Sequence, residues 1–173
     1  MGRPFVIRTA DIDDARGIAT VHVASWQAAY RGLMPNDVLD AQSVEQREER
    51  WRRIISDPHT MGQTLVADRE GEIVGWASFG PGRDEGASDQ GELWGLYAHP
   101  SVFSTGVGHA LISAVELALR EDGFDSAFLW VLDGNTRAAS FYERHGWNED
   151  SNVKLDERPD MTLFERRRTK SLT

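Results

Sequence analysis

The stretch LWGLYAHPSVFSTGVGHALISAVE (residues 93–116) decides the fold. It reads as a buried strand running into a short glycine loop, and the loop opens directly into an amphipathic helix. In that helix Val107, Ala110, Leu111, Ala114, Val115, Ala118 and Leu119 recur at the i, i+3, i+4, i+7, i+8 spacing of one apolar face. Gly106 and Gly108 sit at its first turn, where backbone N–H groups have no helical partners and the helix dipole is positive. Without Cβ atoms there, a diphosphate can lie against those amides. An anion site is expected. An ATP-type loop would place Lys and then Ser or Thr after the last glycine, where His109 and Ala110 stand, and a dinucleotide fingerprint would need a third glycine at Leu111. Two glycines alone also suit a turn that lets the helix pack close to its strand.

A second constellation separates these readings. NTRAASFYERHGW (residues 135–147) is a short helix with Asn135 as N-cap and Gly146 at the left-handed position past its C-terminus. Together the two segments resemble the GNAT N-acetyltransferase superfamily, whose members transfer an acyl group from coenzyme A to an amine. Its first signature is a strand followed by Gln/Arg-x-x-Gly-x-Gly/Ala opening a helix. Its second is Asn followed by Tyr within N-x-x-x-x-x-F-Y-x-x-x-G-F/W. The second runs complete from Asn135 through Phe141-Tyr142 to Gly146-Trp147. The first keeps Gly106 and Gly108 but has Phe103 where Gln or Arg is usual, and Ser104 replaces a frequent glycine.

The resemblance implies an α/β fold: a central, mixed and mostly antiparallel sheet flanked by helices and splayed where acetyl-CoA inserts. It implies that pantetheine runs beside Leu96, Tyr97 and Ala98, with an Ala98 amide as oxyanion donor. Main-chain amides of Ser104, Thr105, Gly106, Val107, Gly108 and His109 would cradle the diphosphate, and Asn135 would contact the cofactor. Tyr142 would be the general acid that protonates the departing thiolate. A thiol of pKa ~8.5 leaves well unaided, so this help is ~10²-fold or less.

Acyl transfer also needs a neutral amine, whereas a primary amine of pKa ~10.4 is mostly protonated at neutral pH. Glu92, which opens the strand leading to the site, is the candidate base acting through water; an exposed strand-end carboxylate is the plain alternative. Asp133 is a second candidate, although the turn with Gly134 explains it equally. His22 reads as a packed histidine. Trp26 and Tyr30, one helical turn apart, are the candidate acceptor-binding wall, with core packing as the alternative.

Composition is compatible. The chain has 173 residues, 40% hydrophobic, with six Trp and seven Phe, enough for one domain with a sizeable core. No cysteine is present, so disulfides, cysteine nucleophiles and thiolate metal sites are excluded. The five histidines show no paired ligand spacing, so no metal is expected. A net charge of −9 argues against nucleic acid and favours cationic acceptors. With no long apolar run and no secretory signal, the expectation is a cytoplasmic protein with no membrane partner. A homodimer would be ordinary for such a domain.

The expected element order is β-α-α-β-β-β-α-β-α-β-β. Residues 5–8 form a strand, Asp11 caps a helix reaching Tyr30, and Ser43 with Gln46 forms a capping box for a charged helix that Pro58 ends. Residues 64–67 and 73–79 read as a hairpin around residues 68–71, and residues 92–98, 127–132 and 161–166 as further strands. A single acetyltransferase domain is expected over residues 1–173, with the basic end, residues 166–173, as a frayed tail. The functional expectation is transfer of an acetyl group from acetyl-CoA to a primary amine, a small molecule, by direct attack. A protein N-terminus or lysine is the enzymatic alternative, and a non-catalytic acyl-CoA-binding sensor the alternative of another class.

Overall fold

A computed structural model describes residues 4–173; the first three residues of the expected domain lie outside it. Seven strands form one sheet in the order β1-β2-β3-β4-β5-β7-β6. They are β1 (Val6–Thr9), β2 (Gln63–Arg69), β3 (Glu72–Pro81), β4 (Gly91–Ala98), β5 (Ser126–Leu132), β6 (Asn148–Arg158) and β7 (Met161–Ser171). Every neighbouring pair is antiparallel except β4 with β5, which is parallel. The helices are α1 (Ala15–Tyr30), α2 (Asn36–Asp40), α3 (Val44–Ser56), α4 (Val107–Glu121) and α5 (Thr136–Arg144). Among the described residues no helix is long and apolar enough to cross a membrane.

The period of two along the strands sorts side chains onto the two faces. Val66 and Trp76 point to one side, where they pack with Ile18, Ala19 and Trp51 of α1 and α3. Leu65, Ala67 and Ala77 point to the other, where they meet Val107, Leu111 and Val115 of α4. The apolar face read from the α4 sequence therefore docks except at Ala110, and Ile112, outside that periodicity, is buried with it. Local signals also act where expected. The Asp11 side chain caps a short 3-10 turn leading into α1, Ser43 Oγ accepts the Gln46 N–H at 3.2 Å, and Asp68 Oδ1 accepts the Gly71 N–H at 2.7 Å in the hairpin turn. Only the Ser43 half of the capping box is formed.

The frayed tail is corrected. β7 runs on to Ser171 between β5 and β6, so residues 166–171 lie inside the sheet. Each charge in this run has somewhere to go. Arg166 Nε reaches Asp133 at 2.6 Å, Arg167 Nε reaches Asp150 at 2.7 Å, and Lys170 Nζ sits 2.8 Å from both oxygens of Glu116. Leu172 is buried, its N–H bonded to the Asp125 carbonyl at 2.8 Å. Long aliphatic stems let arginine and lysine occupy a strand while their heads find partners, a property that a charge count misreads as solvation. β6, present in the expected order without boundaries, is an edge strand with mostly exposed residues.

Candidate active site

β4 and β5 pair only through Gly91–Ala127, Glu92–Phe128 and Leu93–Leu129. Beyond Leu93 they diverge, and β4 carries a bulge where Ser78 opposes Gly95 while Phe79 opposes Leu93. The segment containing Leu96, Tyr97 and Ala98 stays bonded to β3 but has no strand on its other edge. A cavity of about 1060 Å³ fills the gap and is lined by these three residues, Phe103, Ser104, Gly108, Asn135 and Tyr142. The two sequence signatures thus meet at one opening, one on each bank.

The glycine loop forms a nest of unpaired donors at the start of α4. Gly106 is the N-cap with φ of 95°, a left-handed conformation that glycine adopts without strain, and Ser104 is also left-handed at 62°. The N–H groups of Ser104, Gly106, Val107, Gly108 and His109 have no partner among the described residues. The Thr105 amide differs: it donates to the Val102 carbonyl at 3.3 Å and helps close the preceding turn. A Cβ on Gly108 would come within 3.1 Å of the Phe141 ring, so this glycine lets α5 approach the loop. Converging amides at the positive end of a fifteen-residue helix fit a diphosphate. Phe103, in the place of a usual polar residue, has the Arg137 guanidinium carbon 3.6 Å from its ring centre.

Asn135 caps α5, its Oδ1 accepting the Ala138 N–H at 3.2 Å, and also lines the cavity, so cap and wall are one residue. Gly146 is left-handed at 81° past the end of α5. Tyr142 is 9% exposed, and its hydroxyl bonds to no described residue although it borders the cavity. Burial, with the nearby Tyr97, pushes its phenol well above the ordinary value, so it stays protonated.

The reading of Glu92 as an exposed strand-end carboxylate is corrected: it is 1% exposed. Its Oε2 accepts the Arg83 backbone N–H at 2.8 Å and Nε at 3.2 Å, and its Oε1 accepts Arg83 Nη2 at 2.9 Å. The side chain lies in the cavity wall with Arg83 over it. Asp133 is exposed, bonded to Arg166, and does not line the cavity.

Trp26 and Tyr30 both line the cavity, their rings 5.3 Å apart edge to face. Tyr30 is hydroxyl to hydroxyl with Tyr97 at 2.9 Å. The Tyr97 ring, 5.1 Å from Trp76 and 6.0 Å from His22, therefore packs toward α1. Its backbone belongs to the strand and its side chain to the α1 side of the cavity. Residues from β6 and β7 that no motif flagged complete this side: Lys154, Asp156, Arg158 and Glu165. Burial raises the Glu165 carboxyl, with Asp156 and Asp84 adding to the rise and Lys154 and Arg158 opposing it. These residues come from far along the chain, and no local pattern connects them to Trp26 or Tyr97. Among the described residues, no group of three or more His, Asp or Glu is arranged to hold a metal.

Comparison with known proteins agrees with this geometry. The model of the Acetyltransferase (GNAT) family matches residues 24–147. The N-acetyltransferase YuaI of Bacillus subtilis, itself uncharacterised, is 32% identical over 139 residues, covering 80% of this chain and 78% of that protein. Among solved structures, PaiA N-acetyltransferase from Thermoplasma acidophilum in complex with coenzyme A superposes with a TM-score of 0.77 at 20% identity, over 97% of this chain and 99% of that one. A GCN5-related N-acetyltransferase from Rhodopseudomonas palustris gives 0.77 at 24% identity, over 99% and 98%. With both signatures on the two banks of one opening and the family model spanning most of the sequence, the chain belongs to the GNAT acetyltransferase family.

Proposed function

We propose that the protein transfers an acetyl group from acetyl-CoA directly to the primary amine of a small molecule. The carrying observation is the gap between β4 and β5: unpaired amides stand at one end, an unshared strand edge along one side, and the unpartnered Tyr142 hydroxyl in the wall. Acetyl-CoA supplies an activated thioester. The amides of Ser104, Gly106, Val107, Gly108 and His109 would hold its diphosphate, Leu96, Tyr97 and Ala98 would line its pantetheine, and an Ala98 amide would serve the carbonyl oxygen as it gains charge. The absence of cysteine supports direct transfer over an acyl-enzyme.

Tyr142 would act on the sulfur side. A phenol raised above its ordinary value is a weaker acid than a thiol of pKa ~8.5, so complete proton transfer to the thiolate is uphill. The hydroxyl would instead stabilise the leaving sulfur chiefly as a hydrogen-bond donor.

Proton removal from the amine is assigned to Glu92 through a water. Its Oε1 takes a single hydrogen bond, from Arg83 Nη2, which leaves a lone pair directed elsewhere. Glu165 is a second candidate because its raised carboxyl sits on the acceptor side. Glu92→Gln and Glu165→Gln separate them: the true base loses the acidic limb of the pH profile of kcat/KM, while the other variant keeps it.

The reading is tested by titrating the folded protein with acetyl-CoA in a calorimeter and then screening primary amines for turnover. Micromolar binding followed by thiol release with an amine supports it. Binding without turnover on small amines and on peptide N-termini alike would favour a sensor, and absence of binding at millimolar ligand overturns the assignment.

A further inference from the structure

A second cavity, of about 580 Å³, lies between α1, α3 and the β3–β4 hairpin. It shares Trp26, Arg83, Trp94, Gly95 and Arg158 with the larger one, so the two meet at the β4 bulge. Four arginines line it, Arg47, Arg50, Arg83 and Arg158, and no acidic residue does. In a chain of net charge −9 this is a local reversal of sign.

Two of the four have carboxylates outside the cavity: Arg83 with Glu92 at 2.9 Å and Arg158 with Asp156 at 2.7 Å. The other two do not. Arg47 is half-buried, gives Nε and Nη2 to the single amide oxygen Gln42 Oε1 at 3.2 and 2.8 Å, and lies 5.3 Å from the Trp26 ring centre. Neither Arg47 nor Arg50 touches a carboxylate among the described residues. Burial disfavours the Arg47 charge, and Arg50 and Arg158 disfavour it further. Arg50 is exposed and Arg47 half-buried; like charges gathered on one cavity wall repel, and an anion would relieve that repulsion.

His22 is an independent sign pointing the same way. It is 8% exposed and lies in the wall of this cavity. Trp51 Nε1 donates to its Nδ1 at 3.4 Å, which puts the ring proton of the neutral imidazole on Nε2. That Nε2–H is buried and has no partner. The cavity therefore holds an unsatisfied neutral donor beside unpaired guanidinium groups, amid the Trp26 and Trp76 rings.

Resting on the acetyl-transfer reading above, we infer that this second cavity receives an anionic group of the acceptor. The substrate class is then an amine that also carries a carboxylate or phosphate, joined by an apolar body that packs on the tryptophans. Arg47 and Arg50 select the anion while the amine end reaches the β4–β5 opening beside Tyr97. Overall acidity suggests a cationic acceptor; the local field asks for one with an acid at its far end.

The test is calorimetric titration of the coenzyme A-saturated protein with 3-phenylpropionate, its uncharged amide 3-phenylpropionamide, and phenyl phosphate. We expect at least one anion to bind about tenfold or more tightly than the amide, to weaken with added salt, and to lose that preference in an Arg47→Gln/Arg50→Gln variant. The two anions distinguish a carboxylate from a phosphate specificity. In parallel, kcat/KM for 4-(2-aminoethyl)benzoate or 4-(2-aminoethyl)phenyl phosphate should exceed that of 2-phenylethylamine or tyramine, and the ratio should collapse in the double variant. Acetyl-CoA titration of the variant reports whether it is folded. Equal binding of acid and amide, or a preference that survives the double substitution, overturns the inference. If coenzyme still binds in that case, the transferase reading stands. A folded protein that binds the anions but no acetyl-CoA would overturn the transferase reading and leave an anion site.

Discussion

The Arg137 guanidinium of α5 lies over the Phe103 ring of the glycine loop, 3.6 Å from guanidinium carbon to ring centre. Both residues line the main cavity. Phe103 occupies the position where a polar residue is usual, and it carries no charge of its own. It is instead a platform that holds a cation from the second signature at the mouth of the first. Arg137→Ala should therefore weaken acetyl-CoA binding by about fivefold to thirtyfold and flatten its salt dependence, and Phe103→Ala should act in the same direction by less. Calorimetry at two ionic strengths checks this, and unchanged affinity in Arg137→Ala would remove the residue from the coenzyme site.

Tyr142→Phe removes only the hydroxyl, and that group bonds to no described residue. The fold should tolerate the change. We expect kcat to fall by about tenfold to a hundredfold while acetyl-CoA affinity stays within about twofold. Undiminished kcat would show that the sulfur departs without this residue.

His22 should make the protein sensitive to mild acid. Burial, then Arg47 and Arg50, lowers its pKa from 6.5 to about 3. Between those values the unfolded chain takes up a proton that the native imidazole refuses, so stability falls as pH drops through that window and is intact above it. The slope contributed is up to about 1.4 kcal/mol per pH unit. Denaturant unfolding from pH 7 to pH 4 should show a shallower fall for His22→Phe than for the wild type, whatever their difference at pH 7. Parallel curves would mean the native histidine titrates normally.

The basic end of the chain should prove structural. Lys170 Nζ bonds both Glu116 oxygens and the His145 carbonyl, Trp147 Nε1 donates to Glu116 at 2.9 Å, and Arg168 Nη1 donates to the Trp147 carbonyl at 3.0 Å. This network ties β7 to α4 and to the end of α5. Lys170→Met leaves a buried carboxylate without its main partner and should cost about 2–4 kcal/mol in chemical denaturation. Truncation after Glu165 should prevent folding. A truncated chain with native stability would restore the reading of a loose tail.

The legible and illegible parts of this protein divide by range of interaction. The α4 face, the Asp11 and Ser43 caps, the turn around Gly71, and the left-handed Gly106 and Gly146 rest on near neighbours in the chain, and these residues adopt the expected local structures. The charged run at residues 166–170 was misread because its partners, Asp133, Asp150, Trp147 and Glu116, are distant in sequence. For Glu92, read as a candidate base with an exposed strand end as the alternative, the burial was not legible because Arg83, which covers it, arrives from the loop before β4.

The residues alone thus determined the glycine loop, the helix that carries Tyr142, the family and with it the sheet, since periodicity, capping and glycine placement act over a few residues. Only the tertiary structure decided which side chains face the two cavities. Tyr97 turns its ring to Tyr30 and His22, Arg137 crosses to Phe103, and Arg47 and Arg50 gather with Arg83 and Arg158 around a cavity without an acid. A pocket's charge is the sum over elements that meet in space, and that sum exists only once the sheet and helices have docked.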